Sequence, residues 1–412
     1  MRRNQIVDII RGTAMLLVVL GHTLSGCTTA FQDSFLFQVI WTLQMPLFII
    51  ISGYVSKYSK PIQNVNELWK YIKKRTLAYL MPWAVWTILI RGLIFQQTEY
   101  LDIKYLLWHM DSGYWFLMTI WTISMIFGLA DYGSTKLKVS SKITSLGCHL
   151  ALCGVGMVLL AGIGYIVGMS FLCIKLTLYY TPIYLLGYIY GQIQGDLYSK
   201  SYSDSLINWS VAVALALWLS LIVRFNFYSE ADGVYMIVLR FTTSIFGCVA
   251  LIGLFTSIYE NLKGGGSGMG QSTFAGGLSS TLPVSQSCTC DPHTGVGNNE
   301  RSNNAIRQLL NKNCADMHEH LPNAEKHSVE LSFVRQKNYS ILLNWIGVHS
   351  LEIYLIHGLS LCILRFSYAP ELISVRGWFL ILANFIITVT LSCLYIRLIE
   401  SNKLLYKIIF WK

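Results

Sequence analysis

Two stretches of the sequence place ionisable side chains inside apolar runs. The first, DIIRGTAMLLVVLGH, contains Asp8, Arg11 and His22. Ionisable groups are costly within a bilayer, so each of the three is a candidate for function. Asp8 and Arg11 are three residues apart and would share a helix face, where their charges can neutralise each other. His22 follows Arg11 by eleven positions, about 1100° of helical rotation, and therefore lies on the same face.

The second stretch, NWIGVHSLEIYLIHG, contains His349, Glu352 and His357. Two imidazoles and a carboxylate that face the interior of a helix bundle can supply acid–base chemistry. We expect His357 at a depth similar to that of His22. A structural interpretation stays open for both stretches: a packing hydrogen bond for His22, and for Glu352 a Glu–His pair that holds two helices together.

The composition indicates that these residues lie in a membrane protein. Of 412 residues, 54% are hydrophobic and only 13% are charged, against about 25% in soluble domains. Apolar runs of about 20 residues alternate with short basic segments, which is typical of membrane spans. We therefore predict an all-α polytopic membrane protein with about ten transmembrane helices. The predicted spans are 6–26, 35–55, 77–97, 114–130, 148–168, 174–192, 208–225, 235–257, 341–365 and 377–399.

The distribution of Lys and Arg predicts the orientation of the chain. Cations are concentrated in alternate loops and in the C-terminal tail, which places both termini in the cytoplasm. We expect a multi-pass protein of the cell (inner) membrane. The net charge of +10 is explained by this loop bias. Nucleic-acid binding is not predicted, because the basic residues lie between apolar runs rather than along one stripe.

One segment differs in composition from the rest. Residues 260–338 are polar, rich in Gly, Ser and Asn, and contain GGGSGMG near their start. This predicts a flexible cytoplasmic loop or a spacer between a membrane domain of residues 1–259 and another of residues 339–412. Its potential metal ligands fit no standard zinc spacing, so no metal site is predicted; they are Cys288, Cys290, His293, Cys314, His318 and His320.

The cysteines of the apolar stretches have no spacing that suggests a disulfide framework. We expect them to behave as small hydrophobic residues. They are Cys148, Cys153, Cys173, Cys248, Cys362 and Cys393.

Several of these motifs together resemble the acyltransferase-3 family. DIIRGTAMLLVVLGH is similar to its first-helix signature, in which an Asp, an Arg-Gly pair and a His follow in order. LQMPLFIIISGY (43–54) resembles the second helix, YWFLMTIW (114–121) a Trp-Phe-Leu element, and SLEIYLIHG (350–358) a late Tyr-Leu-x-His element. Family members often carry two arginines three residues apart before the third helix, whereas here the residue three positions after Arg75 is Ala78.

The resemblance implies a membrane-bound O-acyltransferase that uses acyl-CoA, usually acetyl-CoA, to acylate a hydroxyl of a carbohydrate or glycan precursor. It implies His22 as the general base or as the site of an acyl-imidazole intermediate. The further catalytic candidates are His357 and Glu352. The candidates for binding the donor phosphates are Arg11, Lys73, Lys74 and Arg75. The candidates for substrate binding are Arg240 and Trp115.

Two other classes of function compete with this interpretation. Polytopic proteins with buried charges often transport ions or glycans, so a transporter or flippase for a glycan or small anion is the main alternative. No inverted repeat is visible in the sequence. A non-catalytic membrane scaffold is the second alternative, and the sequence does not indicate the oligomeric state.

Overall fold

Helices make up nearly all of the described chain. The computed structural model describes residues 4–110, 113–137, 141–199, 204–228, 233–264, 342–365, 369–372 and 374–411. The helices are α1 (Gln5–Cys27), α2 (Phe35–Ser56), α3 (Val65–Ala84, continuing as a π-helical stretch, Val85–Ile94), α4 (Ile103–Trp108), α5 (Trp115–Lys136), α6 (Lys142–Val167), α7 (Ile174–Ser199), α8 (Asp204–Arg224), α9 (Val234–Gly264), α10 (342–348), α11 (Ser350–Ile356, followed by a 3₁₀ turn, His357–Leu359), α12 (Val375–Glu400) and α13 (Lys403–Phe410). In this part of the chain no strand forms, and the all-α class is confirmed.

Eight helical segments are long and apolar enough to cross a bilayer. They correspond to eight of the predicted spans, and they make the chain an integral membrane protein. The described apolar part of α8, Asn208–Arg224, is shorter than the others, and the predicted span 341–365 is interrupted. The count of about ten transmembrane helices therefore stays a prediction.

The prediction of one continuous helix over residues 341–365 is wrong. A turn at His349 separates α10 from α11, the helical path ends at Leu359, and residues 360–365 are irregular. Non-helical backbone at membrane depth needs partners for its polar groups. The side chain of Asn384 on α12 supplies them: its amide accepts from the N–H of Leu364 and donates to the carbonyl of the same residue, both at 2.9 Å.

The third span is longer than predicted and changes its helical form. Helix α3 begins at Val65, where Asn64 caps it by accepting from the N–H of Glu67. Its second part has the wider π-helical winding, shown by the N–H of Phe95 donating to the carbonyl of Ile90, five residues back, at 2.9 Å. Single-turn π-bulges are the usual form of this winding, so a longer stretch marks an unusual site in the helix.

Helices α2 and α7 pack with their backbones in direct contact. A Cβ atom on Gly53 would collide with the carbonyl of Tyr184, and a Cβ atom on Gly187 would collide with the carbonyl of Ile50. Each glycine thus makes room for a backbone carbonyl of the opposite helix. Close approach through small residues is a common way for transmembrane helices to associate.

The C-terminal tail contains a short helix that the sequence analysis did not predict. Asn402 caps α13 by accepting from the N–H groups of Leu404 and Leu405. Phe410 is buried, and its neighbour Ile409 accepts a hydrogen bond from the indole N–H of Trp86 at 3.2 Å. The helix therefore returns from the end of α12 into the bundle.

The contacts within the chain divide it into two units. One consists of residues 1–259 and 343–412, and the other of residues 260–342. Helix α9 continues to Gly264, beyond the predicted start of the polar loop at 260. The remainder of the predicted loop, including its Cys and His residues, lies outside the described residues.

Candidate active site

Two histidines on different helical segments face each other. His22 is near the end of α1 and His357 is in the 3₁₀ turn after α11, and their ring centroids are 5.2 Å apart. His357 is only 7% exposed, whereas the His22 side chain keeps accessible surface although protein atoms surround most of it. The expectation that the two rings lie at a similar depth is confirmed. At this separation a proton can pass between them through one bridging water. We call these residues the histidine pair.

The position of the pair follows from how α1 runs beside α10 and α11. At one end of this contact, a Cβ atom on Gly347 would collide with the carbonyl of Asp8, close to the start of α1. At the other end, Cys27, the last residue of α1, forms a disulfide with Cys362. The two segments therefore run in the same direction, and the histidine pair lies between these contacts, closer to the disulfide.

The disulfide corrects the expectation that Cys362 acts only as a small hydrophobic residue. The two cysteines are 335 positions apart, so no spacing motif could indicate the pairing. The other five cysteines expected to act as small hydrophobic residues form no disulfide: Cys148, Cys153, Cys173, Cys248 and Cys393.

The hydrogen bond of His357 determines which ring nitrogen can act. Its Nδ1 lies 3.1 Å from the carbonyl of Ile353. A carbonyl can only accept, so in the neutral ring Nδ1 carries the proton and Nε2 carries the lone pair. Neutral His357 can therefore accept a proton or a hydrogen bond at Nε2, but it has no second N–H to offer to an oxyanion.

Aromatic residues that the sequence analysis did not single out surround His357. The ring of Tyr354 is 6.1 Å from it, and Phe116 and Tyr114 contact Tyr354 at 5.7 and 6.0 Å between centroids. The hydroxyl of Tyr114 also donates to the carbonyl of Leu355 at 3.2 Å. The sequence feature that could have indicated Tyr354 is its position three residues before His357, which places both side chains on one helical face.

Tyr114 also forms one wall of a recess on the other side. This aromatic recess is formed by the end of α3, by α4 and by the residues before α5. It is lined by Trp83, Thr87, Tyr100, Tyr105, Leu106, His109, Met110, Gly113 and Tyr114. Arg91 lies beside it, donates to the hydroxyl of Tyr100 at 2.9 Å and lies over the rings of Tyr100 and Tyr114.

Glu352 lies in a different cluster, toward the opposite end of α11. It is fully buried and accepts a hydrogen bond from the hydroxyl of Tyr406 at 2.6 Å. His349 lies between two carboxylates, with Nδ1 3.6 Å from Glu352 and Nε2 3.7 Å from Glu400. We call His349, Glu352, Glu400 and Tyr406 the carboxylate cluster, and it joins α11 to α12 and α13. A catalytic role for Glu352 stays a prediction.

The first of the predicted donor-binding cations is part of an ion pair. Arg11 Nη1 lies 4.0 Å from Asp8 Oδ1, so the expected pairing on one helix face is confirmed. The side chain of Asp8 is buried, whereas that of Arg11 is partly exposed. The guanidinium is therefore accessible at the end of the bundle where α1 begins.

The three cations of α3 differ in their surroundings. Lys73 and Lys74 are exposed, whereas Arg75 is half-buried. Its guanidinium lies 5.2 Å from the centroid of the Tyr71 ring and donates to the hydroxyl of Tyr79 at 3.3 Å. Arg75 is thus the one of the three that the fold holds in a fixed orientation.

The two predicted substrate-binding residues both lie against α7. Arg240, half-buried on α9, interacts electrostatically with Tyr179, and Trp115 stacks on Tyr180 with 5.7 Å between centroids. The structure does not test their roles, which stay predictions. Among the described residues, no group of three or more His, Cys, Asp or Glu side chains is arranged to hold a metal ion.

Comparison with known proteins assigns the chain to a family. The model of the acyltransferase-3 family, described as an acyltransferase domain, matches residues 4–276. This range includes Arg11 and His22 and ends before Glu352 and His357. Comparisons with curated proteins and with solved structures gave no match. Because the match covers more than half of a chain that also has membrane-spanning helices, this protein belongs to the acyltransferase-3 family and is a membrane-bound acyltransferase that transfers groups other than aminoacyl groups.

Proposed function

We propose that the protein moves an acyl group, usually acetyl, from acyl-CoA to a hydroxyl of a carbohydrate or glycan precursor. The observation that carries this proposal is the histidine pair, in which an exposed imidazole faces a buried one inside a helix bundle of acyltransferase-3 type. An imidazole is the side chain whose ordinary pKa best suits proton transfer at neutral pH.

The donor enters from the end of the bundle where α1 begins. Arg11 and Arg75 are the best placed cations for its phosphates, because the structure describes both as partly accessible and orients Arg75 between tyrosines. Charge-assisted hydrogen bonds to phosphate are stronger than neutral ones. Lys73 and Lys74 add a less ordered positive field at the same helix.

This end faces the cytoplasm, and the opposite end faces the outside. Two independent observations support the orientation. The cations of the loops favour it, and the disulfide between Cys27 and Cys362 lies at the opposite end. Disulfides persist outside the reducing cytoplasm. Acyl-CoA is a cytoplasmic molecule, so its thin pantetheine arm extends inward toward His22.

The reaction uses His22 as a general base. The imidazole removes the proton of the acceptor hydroxyl while the hydroxyl oxygen attacks the thioester carbonyl. The tetrahedral intermediate then collapses, the carbon–sulfur bond breaks, and the coenzyme thiolate takes the proton back from His22. Losing such a base typically costs about 10²–10⁴ in rate.

His357 assists by orienting His22 rather than by holding the oxyanion. Its Nδ1 proton is engaged by the carbonyl of Ile353, so its Nε2 lone pair is left to accept, through a bridging water, from a ring N–H of His22. This would direct the other nitrogen of His22 toward the acceptor. The alternative is that His22 attacks the thioester itself and forms an acyl-imidazole, which the acceptor then cleaves.

The aromatic recess is too small to hold a sugar ring, because its cavity volume of about 10 Å³ has room for one water. It lies at the end of the bundle predicted to face outward, since α5 begins there and ends near Ile62, whose N–H donates to Asp131 at 2.8 Å. The shared wall, Tyr114, connects this recess to the segment that bears His357. The carbohydrate class of the acceptor therefore rests on the resemblance of the sequence motifs to the family.

The test is a transfer assay on purified, monodisperse protein. Acetyl-CoA and a panel of oligosaccharide and lipid-linked glycan acceptors are supplied, and coenzyme A release and acetylated product are both measured. We expect acceptor-dependent release that is lost in His22→Ala.

Two results would contradict the proposal. One is transport of a glycan or anion into reconstituted vesicles with no acyl product. The other is full transfer activity in His22→Ala. Trapping of an acetylated His22 by mass spectrometry would instead favour the acyl-imidazole route over the general-base route.

A further inference from the structure

We propose that the disulfide between Cys27 and Cys362 is a positioning device that holds His22 opposite His357. The inference rests on the proposed function of the histidine pair. Each cysteine follows one of the histidines by five residues, and the disulfide joins the two segments directly beyond the site. The bond therefore connects the two halves of the catalytic arrangement rather than two remote loops.

The segment that carries Cys362 needs such an attachment because it is not helical. The helical path ends at Leu359, and Cys362 has a left-handed φ of 53°. Backbone of this kind has no internal hydrogen-bond ladder, so its position depends on its neighbours. His357 lies at the junction between the helix and this irregular segment, and any movement of the segment displaces its ring.

Helix α12 holds one side of the segment. Thr388 donates to the carbonyl of Ser360 at 2.9 Å, and the amide of Asn384 bonds both polar groups of Leu364. These contacts fix the segment relative to α12. None of these contacts involves α1, which carries His22.

The disulfide provides the attachment to α1. Cys27 and Cys362 are both 4% exposed, and a Cβ atom on Gly26 would lie 2.8 Å from the sulfur of Cys362, so the approach requires glycine there. A weaker contact lies just beyond, where the N–H of Thr29 donates to the carbonyl of Pro370 at 3.1 Å. After reduction this contact and the packing of α1 against α10 and α11 still keep the segments close, so we expect partial rather than complete loss of function.

The bond forms by thiol–disulfide exchange at the outward end of the bundle. A protein disulfide of an oxidoreductase supplies the oxidising equivalents: its two sulfurs leave as thiols, and the two thiols of Cys27 and Cys362 become one disulfide. Dithiothreitol reverses this exchange, because it is oxidised to its cyclic disulfide while both cysteines regain their protons.

The experiment measures the initial rates of acyl transfer for the full-length protein before and after treatment with dithiothreitol. Mass spectrometry confirms the gain of two hydrogens on the peptides that contain Cys27 and Cys362. We expect reduction to lower kcat by about 10- to 100-fold, the scale of a small displacement of reacting groups. The KM for acetyl-CoA should stay unchanged, because the donor cations lie at the other end, and reoxidation with diamide should restore kcat.

Two sets of variants separate positioning from other effects of the reductant. The double variant Cys27→Ser with Cys362→Ser should have the low kcat of the reduced enzyme and should no longer respond to dithiothreitol. The control variant Cys148→Ser with Cys393→Ser removes two partly exposed free thiols, and it should respond as the unmodified protein does. Retention of full kcat after confirmed reduction would overturn the proposal, as would a change in KM alone.

A structural measurement keeps this inference distinct from the proposed function. Hydrogen–deuterium exchange of the peptide 356–364 should become faster after reduction, whereas exchange of the α2–α7 contact should not change. If the protein transfers no acyl group in either state, the proposed function fails. Unchanged exchange in 356–364 would show independently that the disulfide positions nothing.

Discussion

His349 and His357 lie eight residues apart on the same interrupted helix, yet their surroundings differ. His349 lies between the carboxylates of Glu352 and Glu400, each within 3.7 Å. His357 faces another imidazole and aromatic rings, and among the described residues no carboxylate lies within 4.0 Å of its ring nitrogens. A histidine held by two acids joins helices, whereas a histidine that faces a second, accessible imidazole can exchange a proton with it.

The contrast extends to the partners of the carboxylate cluster. Burial, followed by the Glu352 carboxylate, raises the pKa of Tyr406, so its phenol keeps the proton and remains a donor to Glu352. The cluster therefore has fixed donor and acceptor roles that connect three helices. Ionisable groups of one interrupted helix thus divide into those that hold the fold and those that are available for chemistry.

The largest expected effect falls on the histidine pair. His22→Ala should lower acyl transfer by about 10²–10⁴, because the proposed base is lost, while the protein still inserts and binds acyl-CoA. His357→Ala should cost less, because it orients the base. Turnover per mole of monodisperse protein is the measurement. A larger loss in His357→Ala than in His22→Ala would assign the base to the other ring.

A smaller effect is expected for donor binding at the other end of the bundle. Arg75→Ala should raise the KM for acetyl-CoA about tenfold or more, the scale of a hydrogen bond to a charged group. Neutralising Lys73 and Lys74 together should raise it less, and that effect should disappear at high salt because the side chains are exposed and screened.

Arg75→Lys is the matched control for this prediction, because it keeps the charge but loses the planar guanidinium. If acetyl-CoA affinity is the same in all of these variants and in Arg11→Ala, the donor phosphates bind elsewhere.

A substitution in the carboxylate cluster should lower the stability of the protein more than its turnover. Tyr406→Phe removes the hydrogen bond to the buried Glu352, which we expect to cost about 1.5–3 kcal/mol of unfolding free energy, as for hydrogen bonds to charged groups. Turnover of the folded fraction should fall only a few-fold. Thermal unfolding in detergent, followed in parallel with the transfer assay, is the measurement. A loss of turnover as large as that of His22→Ala, without destabilisation, would place the carboxylate cluster in the chemistry.

The smallest effect is expected from the polar loop. Its composition, poor in aromatics and rich in small polar residues, cannot bury a core. Replacing residues 265–330 by a short polar spacer should leave folding and acyl transfer largely intact. Size-exclusion behaviour and turnover would be compared with those of the unmodified chain. Loss of activity in a well-folded deletion variant would contradict this prediction and would indicate a regulatory or zinc-binding function for the loop.

The spacing of residues predicted those features that are determined within a single helix. The Asp8–Arg11 pair and the common depth of His22 and His357 follow from helical periodicity and span length, and both are confirmed. The interruption after His357 was not predictable, because the residue that stabilises it, Asn384, belongs to another helix.

The features that were missed depend on contacts between distant parts of the chain. Cys362 was expected to act as a small hydrophobic residue and Cys27 was not singled out, because only the parallel course of α1 and α11 brings them together. The return of α13 depends on a site for Phe410 beside Trp86, with 6.4 Å between the ring centroids. Neither apolar periodicity nor charge in the tail specifies such a site.

The reciprocal glycine contact between α2 and α7 has a consequence for motion. An alternating-access cycle requires groups of helices to slide or rock past each other. With Gly53 and Gly187 each against a carbonyl of the opposite helix, α2 and α7 cannot shift by one turn without first separating. Acyl transfer between two substrates that meet from opposite sides needs no such shift. Cross-linking α2 to α7 through engineered cysteines would therefore stop a transport cycle that separates these two helices but leave acyl transfer unchanged.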